Sequence, residues 1–389
     1  MIGDFKVIKK CSTTNARVSK LELNDVCLEL PIFMPVGTYG AMKGIRVSDL
    51  QEKMILANTY HLRALGKGIK KFMKYRGGML TDSGGFQIGS LPDVVVTEEG
   101  VKFGATLFTP EDSMDIQMKL GADIVMQLDD VVNPCDTKEK IEIAMRRSIR
   151  WMDRCINAIN SHGVNGHNKK VKREMNVPQI KLDEKSTQIL FPIIQGGLDE
   201  ELRAESIAEV LKRSPKGLAI GGLSGGEEKS EFARVVHFCI QNLPENIPRY
   251  LMGVGYPEDI VVCAALGSDM SDCVYPTRTA RFGKALSDTG DILFTSKLKN
   301  DKRRIDESCD CYVCSKYSRA FIFSIKGTTN FCMLLSVHNL HYMRNLTRRI
   351  RESIMEDKYP EFIKTFMRRR FREIPEWIRI ALRKVGVEV

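Results

Sequence analysis

Two groups of residues in this chain have the types and spacing to do chemistry. Cys309, Cys311 and Cys314 form a C-x-C-x2-C run, and His338 follows 24 residues after the last cysteine. Three thiolates and an imidazole make a closed tetrahedral zinc site, with no open position at which a water could be activated. A metal held there builds structure, so a reaction centre has to be sought elsewhere. The second group supplies one: carboxylates in the segments Thr81–Gln87 (TDSGGFQ) and Met126–Val132 (MQLDDVV), and at Asp272.

These acids need elements to aim them. Short apolar runs bounded by Gly, Pro or Asp predict eight strands: Pro31–Val36, Met54–Thr59, Gly78–Asp82, Ile124–Asp130, Phe191–Gln195, Gly217–Gly222, Arg249–Val254 and Asp269–Tyr275. The runs are apolar throughout rather than alternating, as in a parallel sheet covered on both faces. Helical patterns fall between them. The clearest is Thr137–Ile159, where Ile141, Met145, Ser148, Met152, Cys155 and Ile159 recur at spacings of three and four. Another opens at Thr109, an N-cap followed by Pro110 and two acids. Strand then helix, repeated, predicts an α/β fold of the (β/α)8 TIM-barrel class. An open doubly wound sheet would need a glycine-rich phosphate turn after its first strand, and none is there.

In such a barrel the active site lies at the C-terminal strand ends. The predicted ends are polar: Asn58-Thr59, Asp82-Ser83, Asp129-Asp130, Gln195, Gly222, Gly253 and Asp272. Asp and Gly also end strands because they suit turns, but acids recurring on three strands favour a site. One carboxylate can attack a sugar carbon while a second shuttles the proton of a leaving base, as in retaining glycosyl transfer. A third can accept hydrogen bonds from the edge of a purine-like ring, with Phe86 and Met252 on its faces.

The formal net charge of +10 over 389 residues points to a polyanionic partner. Basic segments at Lys297–Arg304 and at Arg344, Arg348 and Arg351 bracket the cysteine cluster; such charge runs are usually solvated faces, but bracketing a zinc knob they also suit a rail for a phosphate backbone. Arg368–Arg372 is a denser basic run, either an RNA surface or a helix face. The 11 cysteines are scattered and odd in number, which argues against a disulfide framework and for a reducing compartment. No signal-like start and no long apolar stretch is present, which predicts a soluble intracellular protein. The polar segment 160–189, with His162 and His167, reads as a surface loop.

Read together, the motifs are specific. The chain resembles the tRNA-guanine transglycosylase family, most closely its eukaryotic queuine-inserting catalytic branch, from about Phe5 to about Trp377. The blocks that carry this are MPVGT (Met34–Thr38), NTYHL (Asn58–Leu62), TDSGGFQ, MQLDDVV, IIQGGL (Ile193–Leu198), AIGGLSGGE (Ala219–Glu227), RYLMGVG (Arg249–Gly255) and DCVYPTRTARFG (Asp272–Gly283). The resemblance implies a barrel core over 1–294, a zinc-binding subdomain over 295–345 and a helical segment over 346–389. It implies exchange of the wobble guanine of GUN-anticodon tRNAs for queuine, through a covalent aspartyl–ribose intermediate, by a pentosyltransferase that needs only a structural zinc ion. Asp272 would be the nucleophile and Asp82 the general acid/base. Ser83, Phe86, Gln87, Asp129, Gln195, Gly222, Leu223 and Met252 would bind the base, and Arg278 and Arg281 the flanking nucleotides. Cys309, Cys311, Cys314 and His338 would hold zinc; His341 lies near, but only His338 has the matching Val-His-Asn context.

Bacterial members carry FDEC and GGLAVGE types of sequence where this chain has Leu128–Val131 and Gly221–Glu227, so glycine at Gly225 would make room for queuine's ring. The resemblance also implies a heterodimer with a non-catalytic paralogous subunit, in the cytoplasm and at the mitochondrial outer surface. Ser271 stands where relatives commonly have Phe, and Val101–Leu107 is a shortened segment. Two other readings compete. A zinc-containing tRNA-binding subunit without chemistry would gain nothing from three acids facing a polyanion. A glycoside hydrolase would favour sugar-stacking Trp, and only Trp151 and Trp377 are present.

Overall fold

The computed structural model describes residues 2–91, 93–162, 177–180 and 187–389. Most of the polar segment 160–189, including His167, lies outside the described residues.

Eight parallel strands form the centre: β1 (Ile32–Pro35), β2 (Met54–Asn58), β3 (Gly78–Asp82), β4 (Ile124–Met126), β5 (Ile189–Phe191 and Ile193–Ile194, interrupted at Pro192), β6 (Leu218–Ile220), β7 (Arg249–Leu251) and β8 (Met270–Cys273). Each lies within or against one of the predicted runs. The hydrogen-bonded order is β5-β4-β3-β2 in one sheet and β5-β6-β7-β8-β1 in the other. A parallel bridge between Val36 and Leu56 joins β1 to β2, and β5 belongs to both sheets, so the ring closes as a (β/α)8 barrel.

The apolar runs owe their character to burial on both sides. Leu56, Leu80, Ile124, Met126, Ile193, Ala219, Tyr250 and Met270 pack inside the barrel, while Ile55, Ala57, Val125, Ile194, Leu218, Ile220 and Leu251 join the outer layer against the helices. An antiparallel sheet of Phe5–Lys10, Arg17–Glu22 and Cys27–Leu30 precedes β1. It sends Leu21, Leu28 and Leu30 into the same inner cluster, closing the barrel floor with apolar surface. Beside them, the buried Arg17 donates to both carboxylate oxygens of Asp269, at 2.9 and 2.6 Å. This fixes the sheet to the start of β8.

The surrounding helices are α1 (Pro110–Leu120), α2 (Lys138–His162), α3 (Glu200–Leu211), α4 (Lys229–Gln241), α5 (Pro257–Leu266), α6 (Tyr275–Arg281), α7 (Thr329–Met355), α8 (Tyr359–Arg370) and α9 (Glu376–Arg383). Thr109 caps α1 in a reciprocal box with Asp112, as its sequence predicts. The shortened segment 101–107 is a hairpin: Val101–Phe103 pairs with Val94–Val96 and with Thr106–Phe108. Its Phe103 ring packs 4.4 Å from Tyr60.

The zinc-type cluster forms a satellite core with Phe294, Ile305, Ile322, Phe331 and Leu335. The basic segments divide on inspection. Arg351 donates to the Pro31 carbonyl at 2.7 Å, Arg348 to Glu352 at 2.6 Å, and Arg344 lies 3.9 Å from Glu52. Arg351 and Arg344 thus attach α7 to the barrel, whereas Arg348 pairs only along its own helix and stays half exposed. In the denser run, Arg370 is clamped by Glu258 and Asp291, at 2.6 and 3.0 Å, while Arg368, Arg369 and Arg372 face outward.

Candidate active site and zinc centre

The polar strand ends converge on one mouth. Asn58 ends β2 and Asp82 ends β3, and they are register partners. Asn58 is fixed by accepting from the His61 amide at 3.2 Å. Its Nδ2 donates to Asp82 Oδ2 at 2.7 Å and to Gln87 Oε1 at 3.0 Å. Ser83 is fully buried, its oxygen accepting from the Gly85 amide at 3.2 Å. Gly84 has φ +101, and a Cβ there would press on Tyr60 and Phe108 at 3.3 Å, so glycine is required where the loop crosses the hairpin.

Beyond β4, Asp129 is buried and accepts from Gln195 Nε2 at 2.6 Å. Its neighbour Asp130 instead pairs with Arg147 of α2, so only the first of the two acids serves the mouth. Gln195 follows β5, and its amide donates to Ser206 Oγ at 3.1 Å. Gly222 follows β6 with φ +63; a Cβ there would come within 2.0 Å of Gln195 Oε1.

Asp272 on β8 is held by one of its two oxygens. Tyr250 OH donates to Oδ1 at 2.6 Å and the Gly253 amide donates to the same atom at 2.9 Å. Among the described residues Oδ2 has no hydrogen-bond partner, which leaves it available to a ligand. Ser271 is buried and, by strand alternation, faces away from the mouth. The aim of Asp272 therefore comes from Tyr250 and Gly253 on β7 and the turn after it.

The electrostatics separate the acids. Burial pushes the Asp272 carboxyl up, and the Gly253 and Tyr250 donors pull it back. Burial, then the negative charge of Asp272, pushes Asp82 up to about 7. Burial also pushes Asp129 up to about 7, with Asp82 and Asp130 adding to the rise and the Gln195 donor opposing it. Burial, with the charge of Asp272 adding to it, thus holds the Asp82 proton toward neutral pH.

Phe86 is 67% exposed at the rim, Met252 and Leu223 are half-buried, and Gln87 is buried. Arg278 is exposed without a side-chain partner among the described residues, and Arg281 donates to the Thr277 carbonyl at 3.1 Å. Gly225 is not beside open space: a Cβ there would come within 2.6 Å of Pro134 Cδ, so glycine lets the 222–227 loop sit on Pro134. The same loop is tied by Glu227, which accepts from the amides of Ser224 and Gly225 at 2.6 and 2.8 Å.

Sequence reasoning missed Tyr250 and Arg203. Tyr250 carries a weak signal, since it lies two residues before Met252 on one strand face. Arg203 carries none. It is fully buried on α3 and donates to the carbonyls of Ile194, Gly197, Gly221 and Gly222 at 3.0, 2.9, 2.8 and 3.3 Å. One guanidinium thus holds both turns that present Gln195 and Gly222.

At the second centre, the sulfurs of Cys309, Cys311 and Cys314 lie 3.8, 3.5 and 3.5 Å from His338 Nδ1, and all four ligand atoms fall within 4.8 Å of one another. Tetrahedral zinc with ordinary Zn–S and Zn–N bonds needs S···N edges of about 3.6 Å, so this donor set fits the ion. His338 Nε2 faces the Leu286 carbonyl at 2.9 Å, which places its proton there and leaves Nδ1 for the metal. His341 is engaged elsewhere, with Asp310 at 2.7 Å and Arg344 at 3.0 Å.

A model of the family described as queuine tRNA-ribosyltransferase matches residues 11–372. The chain belongs to the queuine tRNA-ribosyltransferase family. Within it, the chain is 43% identical to the queuine tRNA-ribosyltransferase catalytic subunit of Schizosaccharomyces pombe, over 99% of this chain and 97% of that protein. It is 41% identical to the catalytic subunit of Caenorhabditis elegans, over 96% and 97%. The Thermus thermophilus queuine tRNA-ribosyltransferase is 40% identical, over 98% and 99%. The buried Cys3His cluster is the structural zinc site of this family member. Among the described residues no helix is long and apolar enough to cross a membrane.

Proposed function

We propose that this pentosyltransferase exchanges the wobble guanine of GUN-anticodon tRNAs for queuine by double displacement at Asp272. The observation that carries the reading is the geometry of two acids in one mouth: Asp272 is held through Oδ1 with Oδ2 unengaged, and burial, with the Asp272 charge adding to it, pushes Asp82 up to about 7. Asp272 Oδ2 attacks the ribose anomeric carbon, the glycosidic bond breaks, and guanine leaves with the proton of Asp82. Asp82, now a carboxylate, takes the proton from the incoming base, whose nitrogen attacks the same carbon and releases Asp272. Two inversions give net retention, and one pocket serves both bases in turn.

Asp129, Gln195 and the Gly222 backbone read the base edge, with Ser83, Gln87 and Leu223 lining the pocket and Phe86 and Met252 covering the ring. Arg278 and Arg281 hold the nucleotides on either side. An unpaired loop base costs little to extrude. Zinc takes no step; it contributes folding energy to the segment beside the mouth.

The eukaryotic relatives are named as catalytic subunits, which supports assembly with a further subunit; in this reading the incoming base is queuine and the partner is a non-catalytic paralog in a heterodimer. In the same reading the enzyme works in the cytoplasm and at the mitochondrial outer surface. Its units are a catalytic barrel (1–294), a zinc-binding subdomain (295–345) and a closing helical segment (346–389).

The test is incorporation of labelled guanine into unmodified tRNA with a wobble guanine, with and without the candidate partner, beside Asp272→Ala. Incorporation that vanishes in the variant, together with a denaturation-resistant enzyme–RNA adduct seen only with Asp272, is the expected result. Binding of tRNA without exchange would favour a non-catalytic tRNA-binding subunit.

A further inference from the structure

Phe282 is 75% exposed, the most exposed large apolar side chain among the described residues. Nothing about its backbone is loose. Its amide donates to the Thr279 carbonyl at 3.0 Å, and the next amide, of Gly283, donates to Ala280 at 2.9 Å. Gly283 has φ +78 and turns the chain onto the Phe331 ring, which a Cβ would approach to 3.3 Å. The buried Asn339 holds the segment from both sides, donating to the carbonyls of Pro276 and Lys284 at 2.9 and 3.0 Å and accepting from the Leu286 amide at 2.9 Å. A rigid backbone presents this ring to the outside, and among the described residues no aromatic or cationic side chain stacks on it.

Its surroundings say what would cover it. Phe282 caps α6, and Arg278 lies four residues earlier, on the same helical face. Arg278 is exposed and, among the described residues, without a side-chain partner. The helix begins three residues after Asp272 and is about 10 Å long, so the pair stands on the first helix beyond the attacking carboxylate. A free guanidinium beside a free aromatic face is the combination that binds single-stranded nucleic acid, one taking a phosphate and the other a base.

We infer that Phe282 is a stacking platform for an unpaired nucleotide flanking the exchanged base, and so a specificity-determining residue for the RNA. This rests on the tRNA reading above and adds a residue to it. A stacked flanking base would hold the loop open while the wobble position occupies the pocket. Because every base has a π-face, the contact would be tolerant of sequence and would select for an unpaired neighbour instead.

The experiment compares Phe282→Ala, Phe282→Leu and Phe282→Trp with the unaltered enzyme, in complex with its partner where needed. The probe is a stem-loop RNA carrying 2-aminopurine on one or the other side of the target guanosine. The Ala and Leu variants should raise KM for RNA roughly 5- to 100-fold, with kcat and the KM for free base within about twofold and thermal stability unchanged. The Trp variant should keep the KM, and 2-aminopurine fluorescence should be quenched by the unaltered and Trp proteins only. An unchanged KM and unchanged quenching in Phe282→Ala would overturn the inference. So would a variant that loses sedimentation as a complex while binding RNA normally, which would make the ring a subunit contact. If the unaltered protein binds and quenches the RNA but exchanges no base, the exchange reading fails while this one stands.

Discussion

His338 Nε2 and the main-chain oxygen of Leu286 are 2.9 Å apart, and through this contact the zinc centre reaches the catalytic side of the molecule. Leu286 lies just beyond the α6 segment, and the adjacent Asn339 grips Pro276, Lys284 and Leu286 by three hydrogen bonds. The ion therefore supports the segment that leads away from Asp272, although it takes no part in the reaction.

Removal of zinc should show this coupling. In His338→Ala, zinc content by atomic absorption should fall, and the Leu286 amide should lose protection against hydrogen exchange along with the 309–314 cluster. Losing a structural metal should lower the melting temperature substantially. Local loss confined to 309–314, with Leu286 still protected, would show that the coupling is not energetic.

The grip on Asp272 predicts the effect of Tyr250→Phe. The variant leaves Oδ1 with the Gly253 amide as its one donor. Loss of a hydrogen bond to a charged group, about 1.5–3 kcal/mol, should lower kcat roughly 10- to 100-fold. The Asp272 carboxyl should rise further, moving the acidic limb of the pH–rate profile upward. A variant with an unshifted limb would mean that Tyr250 merely fills the barrel.

Proton binding by Asp82 sets a pH dependence of stability with a definite sign. Its folded carboxyl stands at about 7, against an ordinary value of 3.8. Between these values the folded protein holds a proton that the unfolded chain has released, so stability falls as pH rises from about 4 to about 7 and levels off above. Asp82→Asn removes that loss. Its melting temperature relative to the unaltered protein should therefore increase across this window, while exchange activity is lost. In the unaltered enzyme, kcat/KM for tRNA should fall above a pH of about 7, where the acid needed for guanine departure has lost its proton.

Gly222→Ala tests the base-reading turn. The added methyl would meet Gln195 Oε1 at 2.0 Å at a φ of +63, so Gln195 must swing away from Asp129. The KM for free base should rise by tenfold or more, measured by guanine incorporation at saturating tRNA. Gln195→Ala in the same background should add little, because the contact is already broken.

Much of the site was legible in the chain because strand ends and their chemistry are local. Asp82, Asp129, Gln195, Gly222 and Asp272 each terminate an apolar run, and a barrel brings such ends together. The zinc ligands were legible for a related reason: three of them lie within six residues. Arg203 was not, because it reads as one more charge on an amphipathic helix. Nothing local says that four carbonyls from two other turns surround it. The Arg344, Arg348 and Arg351 stripe shows the same limit, since helical spacing reports a shared face and not that Arg344 and Arg351 meet the barrel while Arg348 stays on the helix surface.

The amino-acid order by itself determined the eight strands, the acids at their ends and the three thiolates for zinc, since period, turn chemistry and metal-ligand spacing act over short stretches of chain. Tertiary structure decided why Asp129 faces the mouth and the adjacent Asp130 does not, since Asp130 is taken by Arg147. It also decided that Asp272 is held by Tyr250 and that His338 rather than His341 completes the metal site. These choices depend on distance, burial and competing partners, which exist only once remote segments are packed together.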